Sequence, residues 1–491
     1  MTNLYQQLDE VFLQNEQAPA LILPDESIWT YGKLRQQVVQ IAARLLEQGV
    51  TPGDRVVAQV EKSAANLCLY LATLRVGGVY VPLNTAYTSA ELDYFLEDAQ
   101  PVLFIGNEIR NDFNTLTLLP DESGTLMEDL SNAVEAPVVE RRDDDLAAIL
   151  YTSGTTGRSK GAQLSHANLY SNAYDLTQAW GWQQQDVLLH ALPIFHVHGL
   201  FIASHCVLLN GGAMVWLPKF DAQQVQDWLP KCTAMMGVPT FYTRLLADDA
   251  FPRQSLDHIR VFICGSAPLT EQVFEAWEAR TGHRILERYG MSETIINTTN
   301  PLDGERVPGT VGFALPNLEL RIADDTGQEL PRGEVGTIEV RGPNVFSGYW
   351  QMPEKTAEEI RPDGFFITGD LGTQDDEGRV SIVGRGKDLV ITGGYNVYPK
   401  EVERLIDEMP QVQESAVIGV PHDDFGEGVV AVIVPTEAEV TVAETDAALD
   451  GQLARFKQPK QVINVSELPR NTMGKVQKNL LRDAYANLFK S

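Results

Sequence analysis

Tyr151 to Gly161 reads YTSGTTGRSKG, a run of glycines and hydroxyl side chains with two cations, directly after the apolar segment LAAILY. Glycine removes side-chain bulk, so backbone N–H groups can close around an anion, hydroxyls donate further hydrogen bonds, and Lys160 adds charge. A phosphate cradle is the chemistry such a loop would support, since LAAILY reads as a strand feeding it. The nucleotide-binding loop of ATPases and GTPases, G-x-x-x-x-G-K-[ST], is excluded, because Lys160 follows Ser159 and precedes Gly161. Taken alone, the stretch is equally compatible with a polar surface turn.

The elements that must position it follow from the rest of the chain. At 491 residues the protein is too long for one ordinary core, so two or more domains are expected. The net charge of −29 argues against nucleic acid or an anionic membrane as partner, because either would want a basic face. If the substrates are anions, the site must gather cations locally against that field. No window approaches a membrane span, and the first residues, MTNLYQQLDEVFLQ, do not read as a signal peptide. Cys68, Cys206, Cys232 and Cys264 lie far apart with no CxxC, as buried free thiols in a reducing cytoplasm would.

Helical and strand-like signals alternate from residue 30 to 150. YGKLRQQVVQIAARLLEQGV is an amphipathic helix, DRVVAQV a strand, NLCLYLATLRVGG a helix and VYVPLN a strand. AMVWLP, TAMMGVP and RVFICGSAP are apolar runs ending in Gly or Pro, suited to buried strands that feed loops. Sites in open α/β sheets lie at the carboxyl ends of such strands. After about residue 310, GTIEVRG and RVSIVGRGKDLVITGG carry short, glycine-punctuated β signals expected to form antiparallel sheet. YPKEVERLIDEMPQVQESAVIGVPH then opens a small α+β unit. The expected fold is α/β: a large N-terminal domain of layered α/β sheets with a β-rich subdomain (1–386), then a small α+β domain (387–491) with its boundary near Lys387.

YTSGTTGRSKG resembles the signature loop of the adenylate-forming superfamily, which includes acyl-CoA synthetases, peptide-synthetase adenylation domains and beetle luciferases. FHVHG (195–199), GSAPL (265–269), RYGMSET (288–294), FITGD (366–370), GRGKDLVITGGYNVYPKEVE (384–403) and PRNTMGKVQK (469–478) resemble its other signatures, in its order, across essentially the whole chain. The resemblance implies a two-step reaction. A carboxylate attacks the α-phosphorus of ATP to give an acyl-adenylate and pyrophosphate, and the thiol of CoA then displaces AMP.

On that resemblance, Thr152, Ser153, Gly154, Thr155, Thr156, Gly157 and Lys160 hold the β and γ phosphates, and Glu293 ligates Mg²⁺ with the hydroxyls of Thr155 or Thr294 nearby. Gly265, Ser266, Ala267 and Pro268, with Glu287, Arg288, Tyr289, Gly290 and Met291, form the adenine pocket. Asp370 takes the ribose hydroxyls and Arg385 the same sugar from the far side. Lys475 is the adenylation lysine of a mobile C-terminal domain and Lys387 its hinge, with Gly393 and Gly394 admitting the CoA arm after rotation. Arg455, Lys457 and Lys460 are candidate partners for CoA phosphates, or equally a solvated basic face.

The acid pocket would be bordered by Arg244 in GVPTFYTRLL and Arg288 in LERYGM. Two guanidiniums there suit an acid with a second carboxylate, whose charge could not be buried unpaired. Ser266 would add a hydrogen bond, His196 and His198 would line the wall with His196 gating entry, and Met291 would limit the substituent on the acid's middle carbon. HALPIFHVHGLF, PKFDAQQV, MGVPTFYTRLL, TNPLDGERVPG and ELPRNTMGKVQK resemble the malonyl-CoA-forming branch of the family, which implies malonate, with methylmalonate as a slower substrate. The alternatives are another aliphatic or aryl acid, transfer of the adenylate to a carrier-protein thiol, and a non-catalytic relic of the fold. The last is disfavoured because Lys160, Glu293, Asp370, Arg385 and Lys475 are all present.

Overall fold

A computed structural model describes residues 3–130, 137–152, 159–393, 395–422, 425–471 and 474–489. The apolar runs become two mostly parallel sheets. One has six strands in the order Thr115–Thr117, Leu103–Gly106, Arg55–Ala58, Val79–Pro82, Leu146–Thr152, Lys160–Ser165. Its last two strands are antiparallel, with Thr152 opposite Lys160, so the two described ends of the glycine-rich segment are paired at a sheet edge.

The second sheet has nine strands. Its parallel centre runs Leu286–Tyr289, Val261–Cys264, Ala234–Gly237, Val187–His190, Ala213–Trp216, Pro19–Ile22. The loops leaving four of those strands begin at Gly290, Gly265, Val238 and Ala191, so RYGMSET, GSAPL and the approach to FHVHG meet at the carboxyl ends of neighbouring strands.

Helices fill the layers around the sheets. Tyr31–Glu47 begins at a Thr30 cap that accepts from the Lys33 amide, and it stops before Gly49, whose φ of +83° no helix continues. Ala64–Arg75 is buried along its whole length, which explains why its sequence is apolar all round.

The β-rich part is a four-stranded antiparallel sheet, Glu319–Ala323, Gly336–Arg341, Phe366–Gln374 and Val380–Arg385. The smaller C-terminal domain carries a five-stranded sheet built on the long pair Val412–His422 and Gly426–Pro435, against which the helix Pro399–Asp407 packs. Core residues through Val380 and those from Val390 onward fall in separate apolar clusters.

Backbone geometry is tight where the loops converge. Ser266 (φ +72°) and Ile295 (φ +61°) adopt left-handed conformations that L side chains resist, as backbones at functional sites often do. A Cβ on Gly290 would stand 1.9 Å from the Ile295 carbonyl oxygen, so no side chain fits. Gly290→Ala is therefore expected to lose ~3 kcal/mol or more, since backbone rather than a flexible side chain must yield, and urea melts of both proteins check it.

Candidate functional site

Lys160 leaves its strand with its ammonium 3.1 Å from Glu359 Oε1 and 3.9 Å above the Tyr349 ring. The Tyr349 hydroxyl lies 2.6 Å from Glu359 Oε2 and 3.0 Å from Glu293 Oε1. Lys160, Tyr349, Glu293 and Glu359 thus form one polar cluster at the start of the edge strand Lys160–Ser165. Ser153, Gly154, Thr155, Thr156 and Gly157 lie outside the described residues; Thr152 is the last residue described before them.

Glu293 is buried, and burial raises its pKa against the lowering influence of Tyr349 and Lys160. A buried carboxylate, with the Thr294 hydroxyl buried and lacking a partner among the described residues, is a hard-oxygen donor set suited to Mg²⁺. No cluster of three or more His, Cys, Asp or Glu exists among the described residues.

On the adjacent strands Phe366–Gln374 and Val380–Arg385, Asp370 and Arg385 stand directly opposite, with Nε 3.0 Å from Oδ1. The Tyr289 hydroxyl donates to the other oxygen, Oδ2, at 2.6 Å. Asp370 is buried at 4% exposure, and a carboxylate held this way presents fixed acceptors to a sugar. Burial pushes the Glu287 carboxyl up to about 8, so it is neutral at physiological pH, with the Leu269 amide 3.3 Å from it.

Arg288 has the most demanding environment. It is 3% exposed, and its guanidinium lies flat against Gly265, where a Cβ would come within 2.6 Å of Cζ. Burial lowers its pKa to about 10, which leaves it charged at neutral pH. Among the described residues the only hydrogen bond its side chain makes is to Ser266 Oγ at 3.4 Å, and its Nε is buried without a partner.

Ser266 Oγ is 3.1 Å from His198 Nδ1. Oγ accepts from Arg288 and shares a second hydrogen bond with Nδ1, while His198 Nε2 is buried without a partner among the described residues. His196, half-buried, is held down to about 4 by burial, Arg288 and Lys475. Among the described residues the pocket therefore sets a buried cation against a single neutral acceptor, Ser266 Oγ.

Lys475 enters from the C-terminal domain. Burial and the neighbouring Arg385 lower its pKa to about 8 against the opposing pull of Asp370. The loop carrying it is closed by two hydrogen bonds between Asn471 and Lys475, and Gly474 abuts Thr240.

Arg244 is exposed in the last turn of Pro239–Leu246 and is not part of the buried cluster around Arg288. Lys457 is bound to Glu401 at 2.7 Å, and Lys387 is exposed on a single 3-10 turn. Met291 packs half-buried against the core, Ala267 is half-buried and Pro268 exposed. Gly393 is exposed with φ +58°, and Gly394 lies outside the described residues. Tyr349 and Glu359 were not anticipated, since SGYW and KTAEEI carry no local signal of the cluster they complete.

The model of the AMP-binding enzyme family matches residues 8–350, and that of the AMP-binding enzyme C-terminal domain matches 401–475. The chain belongs to the AMP-binding enzyme family. A mitochondrial malonate–CoA ligase of Mus musculus is 36% identical over 93% of this AMP-binding enzyme and 87% of the relative. Among solved structures, ATP-bound MatB from Rhodopseudomonas palustris is 54% identical with complete coverage of both chains and a TM-score of 0.96. The apo form of the same protein, equally identical and equally covered, superposes at 0.85. No described helix is long and apolar enough to cross a membrane.

The neutral Glu287 makes stability depend on pH. Between about 4.5 and about 8 the folded enzyme keeps a proton that the unfolded chain releases, so stability falls as pH rises through that window. Glu287→Gln should remove this slope: thermal melts should show the variant gaining on the wild type between about pH 5 and about pH 8.

Proposed function

We propose that this AMP-binding enzyme is a malonate–CoA ligase, joining malonate (and methylmalonate more slowly) to CoA through an acyl-adenylate. The observation that carries the substrate is Arg288: a buried, charged guanidinium with one weak neutral partner. Desolvating such a cation costs several kcal/mol unless an anion meets it. A monocarboxylic acid spends its only carboxylate on the reaction, whereas a diacid has a second to give. The relatives named as malonate–CoA ligases support the same reading.

In the first step a carboxylate oxygen of malonate bonds to the α-phosphorus, the bond to the bridging oxygen breaks, and pyrophosphate leaves. Arg288, Ser266 and His198 hold the spectator carboxylate, and neutral His196 adds no charge to the entry path. Lys475, close to Asp370 and Arg385, offers its ammonium where the incoming carboxylate meets the α-phosphate. Lys160 exchanges Glu359 for the β and γ phosphates, and Asp370 with Arg385 fixes the ribose. Glu293 would hold Mg²⁺, which would supply positive charge against the triphosphate when bound. In the second step the CoA sulfur bonds to the carbonyl carbon, its proton is lost, and AMP departs.

The C-terminal domain, from Lys387 on, rotates between the steps and brings Gly393 and Gly394 to the thiol. The better match to the ATP-bound than to the apo neighbour supports reading the present arrangement as the adenylating one. Buried, unpaired Cys68, Cys206, Cys232 and Cys264 support a reducing compartment, which we take as the cytoplasm.

Pyrophosphate release across malonate, acetate, octanoate and benzoate tests the substrate: malonate should dominate, and ready use of acetate with none of malonate would overturn the proposal. Arg288→Met should raise the malonate KM roughly 100-fold or more while leaving the ATP KM nearly unchanged, as expected when one partner of a buried charge pair is removed. Lys475→Ala should nearly abolish adenylate formation yet spare thioester formation from supplied malonyl-adenylate. In the wild type the adenylation half-reaction should fall as pH passes about 8, where Lys475 loses its charge. Single-turnover assays of the two half-reactions read both effects.

A further inference from the structure

Lys62 is a buried lysine with no acidic partner among the described residues. It is 9% exposed, directly precedes the Ser63 cap of the helix Ala64–Arg75, and so stands at the helix end where a cation is disfavoured. Burial lowers its pKa well below the usual lysine range. Its ammonium donates to His190 Nδ1 at 2.8 Å and to the His190 carbonyl at 2.7 Å, and lies 4.2 Å from the centre of the Trp216 ring. A group this costly to bury is poorly explained by stability alone.

Its partner shows where it acts. With Nδ1 accepting from Lys62, the proton of neutral His190 is on Nε2, which donates to the Gly199 carbonyl at 2.9 Å. Ser204 Oγ donates to that same carbonyl at 2.8 Å. Gly199 lies in the π-helical turn His198–Ser204, a geometry that recurs at functional sites, and is pinned from behind, since a Cβ there would stand 2.1 Å from the Pro193 carbonyl. The next residue back is His198, bonded to Ser266 and through it to Arg288.

We propose that Lys62 and His190 are positioning residues for the acid-binding pocket: Lys62 locks the His190 tautomer, His190 holds the Gly199 carbonyl, and the π-helical turn so fixed aims His198 at the acid's spectator carboxylate. This rests on the proposed binding of that carboxylate by Arg288, Ser266 and His198.

Steady-state kinetics of Lys62→Met, His190→Phe and the double variant test it, read with whichever acid the wild type activates. A failed malonate assignment would then show in the wild type, and failed positioning in the variants. Each single change should raise the KM for the acid roughly tenfold or more with the ATP KM held within about twofold. The double variant should be no worse than about the poorer single one, because the two act as one unit. Equal rises in both KM values, no rise in either, or multiplying effects would overturn the proposal. Should the variants not fold, the ¹⁵N imidazole spectrum of the wild type decides: a neutral His190 protonated on Nε2 supports the lock, and a proton on Nδ1 overturns it.

Discussion

A guanidinium that has been taken out of water and left without an anion organises the pocket of this enzyme. Arg288 sits at the end of a central strand, flat on a glycine, with Ser266 as its one hydrogen-bond partner among the described residues. The adjacent carboxyl that could have paired with it, Glu287, is kept neutral by burial, and His196 and His198 are kept from adding charge by burial and by Arg288 itself. The protein thereby maintains a site of positive potential inside a chain of net charge −29. Low surrounding polarity makes that potential worth more than it would be in water.

The rest of the architecture serves to keep anions apart until they are wanted together. Parallel strands deliver GSAPL and RYGMSET side by side, the antiparallel sheet places Asp370 opposite Arg385, and the C-terminal domain supplies Lys475. Lys160 is occupied by Glu359 at 3.1 Å, a contact that a phosphate can replace without leaving a cation bare. Under the proposed function these cations stand apart, so that each anionic group can meet its own, which is the electrostatic requirement of bringing a carboxylate to a triphosphate.

Much of this was legible in the amino-acid sequence, and what was missed has physical reasons. Strands such as VFIC and AMMG announce themselves as short apolar runs ending at glycine, and Gly290 and Gly265 mark close backbone approaches that the structure locates at Ile295 and Arg288. Arg244 and Arg288 looked equivalent as arginines beside apolar segments. Helical phase separated them, since Arg244 turns outward on the helix Pro239–Leu246 while Arg288 turns inward from a buried strand. Glu359, Tyr349, Lys62 and His190 had no local signature at all. Their roles arise from pairs 10 to 199 residues apart, such as Tyr349 with Glu359 and Lys160 with Glu359, and from a π-helical turn whose widened geometry no periodicity encodes.

The central claim is that Arg288 awaits a carboxylate that does not react. A crystal structure of the enzyme with malonate and a non-reactive ATP analogue addresses it directly. The account predicts one malonate carboxylate in hydrogen-bond contact with the Arg288 guanidinium and Ser266, and the other facing the α-phosphate. Malonate bound away from Arg288, with that guanidinium paired instead to Glu287, would contradict it.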